Sequence, residues 1–198
     1  MGKIKFTKNE LKKQKDALKR FQRYLPTLVL KKQQLQIEIR KVEAEERIKL
    51  KEQESISAKI NSWIEVFGEE VSLEELVKIS SIKIEKGNIA GVDIPLFRGI
   101  DFEDIEYDLF YLPLWVDKGV ESISRVVALA AEIETLREQI RLLGEELRIT
   151  TQRVNLFEKV KIPETKENIR LIQIYMGDQQ TAAVVRGKMA KNKLVRVS

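Results

Sequence analysis

The chain has 198 residues, of which 34% are charged and only 7% aromatic, and its formal net charge is +5. It contains neither cysteine nor histidine, which excludes disulfides, thiolate nucleophiles, most zinc sites and histidine acid–base catalysis. No apolar run approaches the roughly 20 residues that a membrane span requires, and the first residues lack the apolar stretch of a secretory signal. We therefore expect a soluble protein from a reducing compartment, with no direct membrane insertion.

The positive charge is concentrated at the two ends of the chain. Residues 1–24 contain nine Lys or Arg and two acids, and residues 186–198 contain five and none. Basic ends of this kind are compatible with nucleic-acid binding. Aromatic residues that could stack on bases are scarce there, with Phe6, Phe21 and Tyr24 in the N-terminal arm. Nucleic-acid binding therefore ranks third among the functions considered, and no nucleic-acid partner is expected.

Two stretches repeat apolar residues at alternating spacings of three and four. One runs from Leu11 to Phe67 in a stretch without glycine, and the other from Val126 to Phe157. This spacing is typical of helices that wind around each other. Because both stretches belong to one chain and meet at high effective concentration, we predict a mainly α fold with a long antiparallel two-helix coiled coil. The predicted seam comprises Leu25, Leu28, Leu35, Ile39, Val42, Ile133, Leu136, Ile140, Leu143, Leu147, Val154 and Phe157.

A register in which paired residue numbers sum to 182 brings Leu35 opposite Leu147, Leu25 opposite Phe157 and Lys32 opposite Thr150. A slip of one heptad would bury the charge of Lys32 against Phe157, which is costly. This register is a hypothesis.

Three polar residues, Glu46, Lys49 and Gln53, interrupt the seam of the first helix. They form either a polar layer that fixes the register or the level at which a third element from another subunit docks. Pro26 and Pro163 each remove a helical hydrogen bond and predict a local bend in the N-terminal and the C-terminal helix, respectively.

The middle of the chain changes character. Ser72 and Glu75 form a capping-box pattern that predicts a short helix. Alternating residues in 81–85 and 89–95 predict a β-hairpin with its turn at 86–88. Residues 97–115 hold six aromatics, which form either a small core or a docking surface. The predicted domains are an N-terminal coiled-coil helix at 1–67, a small hairpin segment at 68–115, and a C-terminal coiled-coil helix with a basic tail at 116–198.

No residue pattern indicates catalysis. Gly187 and Lys188 resemble the end of a phosphate-binding loop, but Ala182 and Met189 stand where that motif requires Gly and Ser or Thr. The acidic residues alternate with Lys and Arg, as on solvated helix faces. We therefore expect a non-enzymatic protein without cofactor or metal.

Several segments resemble the D subunits of the V-type and A-type rotary ATPases. Residues 151–163, TQRVNLFEKVKIP, are similar to the "RRVNALE…IP" signature of that family, and 167–172 to its continuation. Residues 28–35 resemble its "LLKxKRxxL" stretch and 88–95 its "aGvxvP" hairpin. The chain departs from the family pattern at Pro26, near which glycine is usual, and after Met176.

The resemblance implies a non-catalytic central rotor stalk that transmits torque between a catalytic hexamer and a membrane ring that translocates protons or sodium ions. Its implied partners are the A and B subunits of the ATPase, the F subunit and a connector to the membrane ring, and its implied location is cytoplasmic and peripheral to the membrane. The residues expected to face the hexamer are Lys12, Lys13, Lys19, Arg20, Arg23, Arg170 and Lys188. Those expected to contact the F subunit are Ile48, Leu50, Ile82, Ile84, Ile89 and Val92.

Two other functions fit a long coiled coil. A stalk protein of a secretion apparatus would have two such helices but would not need the 68–115 segment. A helical adaptor protein is the next alternative. Recovery of the A and B subunits of an ATPase in a pull-down separates the rotor stalk from both.

Overall fold

The computed structural model describes residues 5–62, 76–103, 105, 112, 113 and 115–197, with side chains as far as residue 193. It is mainly helical, with a long helix in each terminal part of the chain and a two-stranded antiparallel sheet between them, which confirms the predicted fold class. The predicted short helix at Ser72 and five aromatic residues lie outside the described residues: Trp63, Phe67, Tyr107, Phe110 and Tyr111. The elements in order are α1 (Lys8–Asn61), β1 (Ile79–Ile89), β2 (Val92–Phe102), α2 (Val116–Asn155), a π-helical segment (Leu156–Lys161) and α3 (Ile162–Val197).

Helix α1 is 54 residues long and begins directly after Thr7. The hydroxyl oxygen of Thr7 accepts a hydrogen bond from the backbone N–H of Glu10 at 3.3 Å, as a helix N-cap does. Pro26 lies inside α1 and does not end it. The loss of one backbone donor is therefore tolerated within a helix stabilised along its whole length by other hydrogen bonds.

The C-terminal helical region is interrupted by six residues of π-helix between α2 and α3. At its end the backbone N–H of Ile162 donates to the carbonyl oxygen of Phe157, five residues earlier. Pro163 follows and has no N–H to continue either pattern. The irregularity predicted near Pro163 thus takes the form of a wider helical turn just before the proline.

The described chain divides into two compact units. Unit 1 contains residues 1–32 and 149–198, and unit 2 contains residues 33–148. The core of unit 2 combines residues of α1 and α2 with one residue of the hairpin, since Leu35, Val42, Leu136 and Leu143 are buried together with Ile94. The seam residues packed against this core are Ile39, Ile140 and Leu147.

In unit 1, Val154 and Ile172 are buried, and two aromatic pairs join α1 and the segment before it to the C-terminal helices. The ring centroids of Phe21 and Phe157 lie 5.2 Å apart. Phe157 thus meets a residue one helical turn from Leu25, the partner expected from the register. The ring of Phe6, just before α1, lies 5.0 Å from that of Tyr175.

The two strands of the hairpin pair in antiparallel fashion from Ile89 with Val92 to Ile79 with Phe102. The turn residues Ala90 and Gly91 both have positive φ, at 53° and 78°. The side-chain oxygen of Asn88 accepts the N–H of Gly91 at 3.1 Å and closes the turn. The predicted turn at 86–88 was therefore wrong: those residues continue β1, because Asn88 supports a turn that begins after it.

Candidate functional site

The hairpin presents one face to the helices of unit 2. Ile94 is 2% exposed, and Ile89, Val92 and Leu96 pack against the same core. Gly87 leaves room on this face for the side chain of Leu96, since a Cβ atom there would lie 2.6 Å from Cδ1 of Leu96. With Ala90 of the turn, five residues of the hairpin therefore pack against this core and fix its position.

A side-chain hydrogen bond also connects the hairpin to α2. The amide nitrogen of Gln139 donates to the backbone oxygen of Pro95 at 2.6 Å, and Gln139 is itself buried. A buried carbonyl without a partner would destabilise the hairpin's attachment, so this contact favours one orientation of the strands on α2.

The other face of the hairpin is apolar and exposed. Ile84 pairs with Phe97, and Ile82 pairs with Ile100. Cross-strand partners share a face of the sheet, and this face is opposite to that of Ile94 because strand side chains alternate. Ile82 and Ile84 are 46% and 54% exposed, so part of this apolar surface is accessible to a partner.

The six residues predicted to contact a partner subunit thus fall into different environments. Ile82 and Ile84 lie on the outer face of the hairpin, and Ile48 of α1 is 64% exposed. Leu50 is half-buried. Ile89 and Val92 pack against the core of unit 2 and hold the hairpin in place.

Ion pairs also join the two strands of the hairpin. The ammonium nitrogen of Lys83 lies 2.7 Å from a carboxylate oxygen of Asp101, and this hydrogen bond holds the pKa of Asp101 below its ordinary value. On the neighbouring residues, Arg98 pairs with Glu85 at 2.8 Å. Both pairs are exposed to solvent, so they favour the pairing of the strands only weakly.

Charged residues connect α1 and α2 where the apolar seam is interrupted. The cross-helix pairs are Glu46 with Arg137 at 2.9 Å, Lys49 with Glu132 at 2.9 Å and Glu52 with Arg125 at 2.8 Å. The bond from Arg125 lowers the pKa of Glu52. Because each pair requires the two helices to be aligned at that level, these contacts favour the prediction of a polar layer that fixes register.

The basic residues predicted to face a catalytic hexamer belong to unit 1. Those of α1 are exposed: Lys12, Lys13, Lys19, Arg20 and Arg23. Lys188 of α3 is exposed as well. Arg170 is already engaged by Glu167 one turn earlier, at 2.7 Å, which raises the pKa of Arg170 and lowers that of Glu167. Any contact of Arg170 with the hexamer would therefore compete with an intrahelical partner.

Several exposed apolar residues of unit 1 were not singled out from the sequence. Leu156 and Val160 of the π-helical segment are 44% and 48% exposed, and Leu171 and Ile174 of α3 are 37% and 49% exposed. The repeating pattern of a coiled-coil seam identifies positions that face inward, so it does not identify these exposed residues. The signal that could have found them is apolar residues lying off the repeating stripe.

The features that stand out among the described residues are exposed basic and apolar surfaces. No group of acidic side chains in the described ranges could hold a metal ion. Among the helices that the structure describes, none is both long and apolar enough to span a membrane. The arrangement is suited to binding other proteins through exposed basic and apolar faces.

Comparison with known proteins identifies the family. The family model that describes the ATP synthase D subunit matches residues 10–192. The D subunit of a V-type ATP synthase from Borreliella burgdorferi is 54% identical over 196 residues, covering 99% of this chain and 97% of that protein. The corresponding proteins of Chlamydia muridarum and Chlamydia felis are 34% and 36% identical over 194 residues, covering 96% of this chain and 96% and 93% of theirs. The chain therefore belongs to the family of ATP synthase D subunits.

Proposed function

We propose that this chain is the central stalk subunit of a V-type rotary ATPase. It transmits torque between a hexamer of A and B subunits, where ATP is made or hydrolysed, and the ring that moves ions across the membrane. It performs no catalysis itself. The family match over almost the whole chain carries this proposal, and it does not favour a secretion-apparatus stalk or a helical adaptor.

The packing of unit 2 suits the transmission of torque. A shaft must resist twisting, and side chains that interlock along two helices oppose rotation of one helix about the other. In unit 2 the buried leucines and valine of the core are followed by the three cross-helix ion pairs. Sliding one helix against the other would separate both the apolar contacts and the charges at once.

The basic residues of unit 1 are proposed to face the catalytic hexamer. They are exposed, and contacts between solvent-exposed charges are individually weak. Weak contacts suit a shaft that must leave one catalytic interface for the next during each turn. The hairpin's outer face, with Ile82 and Ile84, is proposed to contact the F subunit together with Ile48, because these apolar side chains are accessible in the free protein.

The test is reconstitution of the complete ATPase with altered versions of this chain. Replacing Lys12, Lys13, Lys19, Arg20 and Arg23 together by Gln should leave the helical signal of the isolated protein unchanged and reduce ATP-driven ion transport at least several-fold relative to ATP hydrolysis. A control replaces four exposed basic residues of unit 2 by Gln, and coupling should then stay normal: Lys59, Lys78, Lys118 and Arg148. Normal coupling in the first variant would overturn the assignment of the basic end.

The same reconstitution examines the hairpin face. Introducing Asp at Ile82 and Ile84 should release the F subunit while the A and B subunits are retained, because a desolvated carboxylate opposes apolar docking. Asp at Ile79, also exposed on β1, gives a control near the end of the same strand. Unchanged retention of the F subunit in the double variant would refute this contact.

A further inference from the structure

A second apolar stripe runs along the outer face of α1 in unit 2. At about 100° per residue, Ile37, Ala44 and Ile48 lie within roughly 40° of one another around the helix. Ile37 and Ile48 are 53% and 64% exposed, and Ala44 is exposed as well. They lie on the side of the helix away from the buried Leu35 and Val42. The spacing of seven and four residues is that of a seam that faces another helix.

Charges of opposite sign border this stripe. On one edge lie Arg40, Arg47 and Lys51, and on the other Glu38, Glu45 and Glu52. Glu38 is paired with Lys41 at 2.7 Å, and Glu52 with Arg125. Arg40, Arg47, Lys51 and Glu45 form no ion pair with any other residue that the structure describes. The unpaired charge of the outer face is therefore predominantly positive.

We propose that this outer face of α1, from Ile37 to Lys51, is the docking site of an acidic amphipathic helix from a partner subunit. Apolar residues of that helix would cover Ile37, Ala44 and Ile48, and its carboxylates would lie opposite Arg40 and Arg47. Flanking charges of this kind determine which helix pairs and in which direction. The inference rests on the proposed function, because it takes the partner from the same ATPase.

A second copy of this chain fits the face poorly. In an antiparallel pair related by a two-fold axis, each charged edge of the stripe would lie against the same edge of the copy. Arg40 and Arg47 would then face the copy's arginines. In a parallel pair the basic edge of one copy would lie against the acidic edge of the other. Lys41 and Lys51, which adjoin the stripe, would however face the same lysines of the copy. Both arrangements place like charges opposite each other. An acidic helix would instead place carboxylates opposite the unpaired cations.

The stripe is short, with three apolar residues over three helical turns. A free peptide would bind this stripe weakly, because the peptide loses conformational and translational freedom when it forms a helix and is immobilised. A helix that belongs to a subunit already bound elsewhere in the complex has a high effective concentration. It therefore needs less binding free energy from the stripe itself. The occupant is therefore a segment of an assembled partner subunit.

The experiment uses the complete complex with a photoreactive residue at position 48 of this chain. Irradiation should join it to a helical segment of another subunit with apolar residues spaced by three and four and with flanking acids. Position 36 serves as the control, because Gln36 is exposed but lies about 100° around α1 from the stripe. Comparable yields from both positions would contradict a defined face, and a product with a second copy of this chain would overturn the choice of partner.

Charge reversal then tests the basic edge of the stripe. The variant R40E/R47E should lower the crosslinking yield about tenfold or more, and reversing the facing acids of the identified helix should restore it. The variant K118E/R148E makes the same charge change at exposed positions off the face and should retain the yield. Retained A and B subunits with no crosslink from position 48 would overturn this inference and the proposed contact of Ile48, and would leave the central-stalk assignment intact. Absence of A and B subunits from the unaltered complex would overturn the proposed function as well.

Discussion

Ala90 occupies a backbone conformation that its side chain disfavours. Its φ of 53° lies in the left-handed region, where a Cβ atom crowds the backbone and where glycine or asparagine is usual. The following Gly91 meets the same requirement without cost. Asn88 compensates by bonding to the N–H of Gly91. The turn is held by its neighbours more than by Ala90 itself.

We therefore expect Ala90→Asn to stabilise the hairpin by about 0.5–1 kcal/mol, because Asn followed by Gly is a preferred pair for this turn. Ala90→Val should destabilise it by at least about 1 kcal/mol, since a branched side chain fits this region worst. Hydrogen exchange of the β1 and β2 amides measures both effects. Ala130→Asn on the exposed side of α2 is the control, with a small loss expected. Faster exchange in Ala90→Asn than in the unaltered protein would contradict this account.

At the scale of elements, α1 and α2 are aligned by apolar packing and by charges. Leu35 and Leu147 belong to the same packed region of unit 2, with Leu35 fully buried. Farther along, Glu46 reaches Arg137 and Lys49 reaches Glu132, which keeps almost the same sum of residue numbers. Both observations favour the predicted register, which these contacts leave as a prediction.

A disulfide between positions 35 and 147 measures that register. The chain has no cysteine, so L35C/L147C contains a single possible pair. We expect rapid oxidation to the intramolecular disulfide, because residues facing each other in a seam approach the distance that the bond requires. The pair L35C/I140C, displaced by one heptad, should oxidise at least tenfold more slowly. Faster oxidation of the displaced pair would reject the register.

At the scale of the whole molecule, burial is unevenly distributed along the chain. Unit 2 has a core in which helices and hairpin share buried residues. In unit 1 the side chains of residues 177–193 are almost all exposed, although α3 continues through them. A single helix of this length without tertiary packing is marginally stable in water. Its order in a working complex therefore depends on what surrounds it.

We expect the amides of 177–193 to exchange quickly in the isolated protein and much more slowly in the assembled ATPase. Buried amides of α2 in unit 2 should be slow in both states, because local stability follows packing. Hydrogen exchange with mass spectrometry of the free and assembled protein makes the comparison, and α2 serves as the internal control. Equal exchange of 177–193 in the two states would show that nothing in the complex covers this part of α3.

The amino-acid sequence by itself determined the two long helices and the existence of the hairpin. Periodic apolar spacing, together with the absence of glycine in the first stretch, is a local property that defines a helix before it meets its partner. Asn88 to Pro95 likewise marked a hairpin. These features also carried the resemblance that the family comparison later supported.

Only the tertiary structure decided which faces are covered. Alternation along β1 does not tell which side of the strand meets the helices. In the structure, Ile89 and Val92 face the core and Ile84 faces outward. The pairing of Phe157 with Phe21 and the ion pairs of Glu46 and Lys49 depended equally on another helix. The physical reason is that periodicity is a property of one segment, whereas register and burial are free energies shared by two segments in contact.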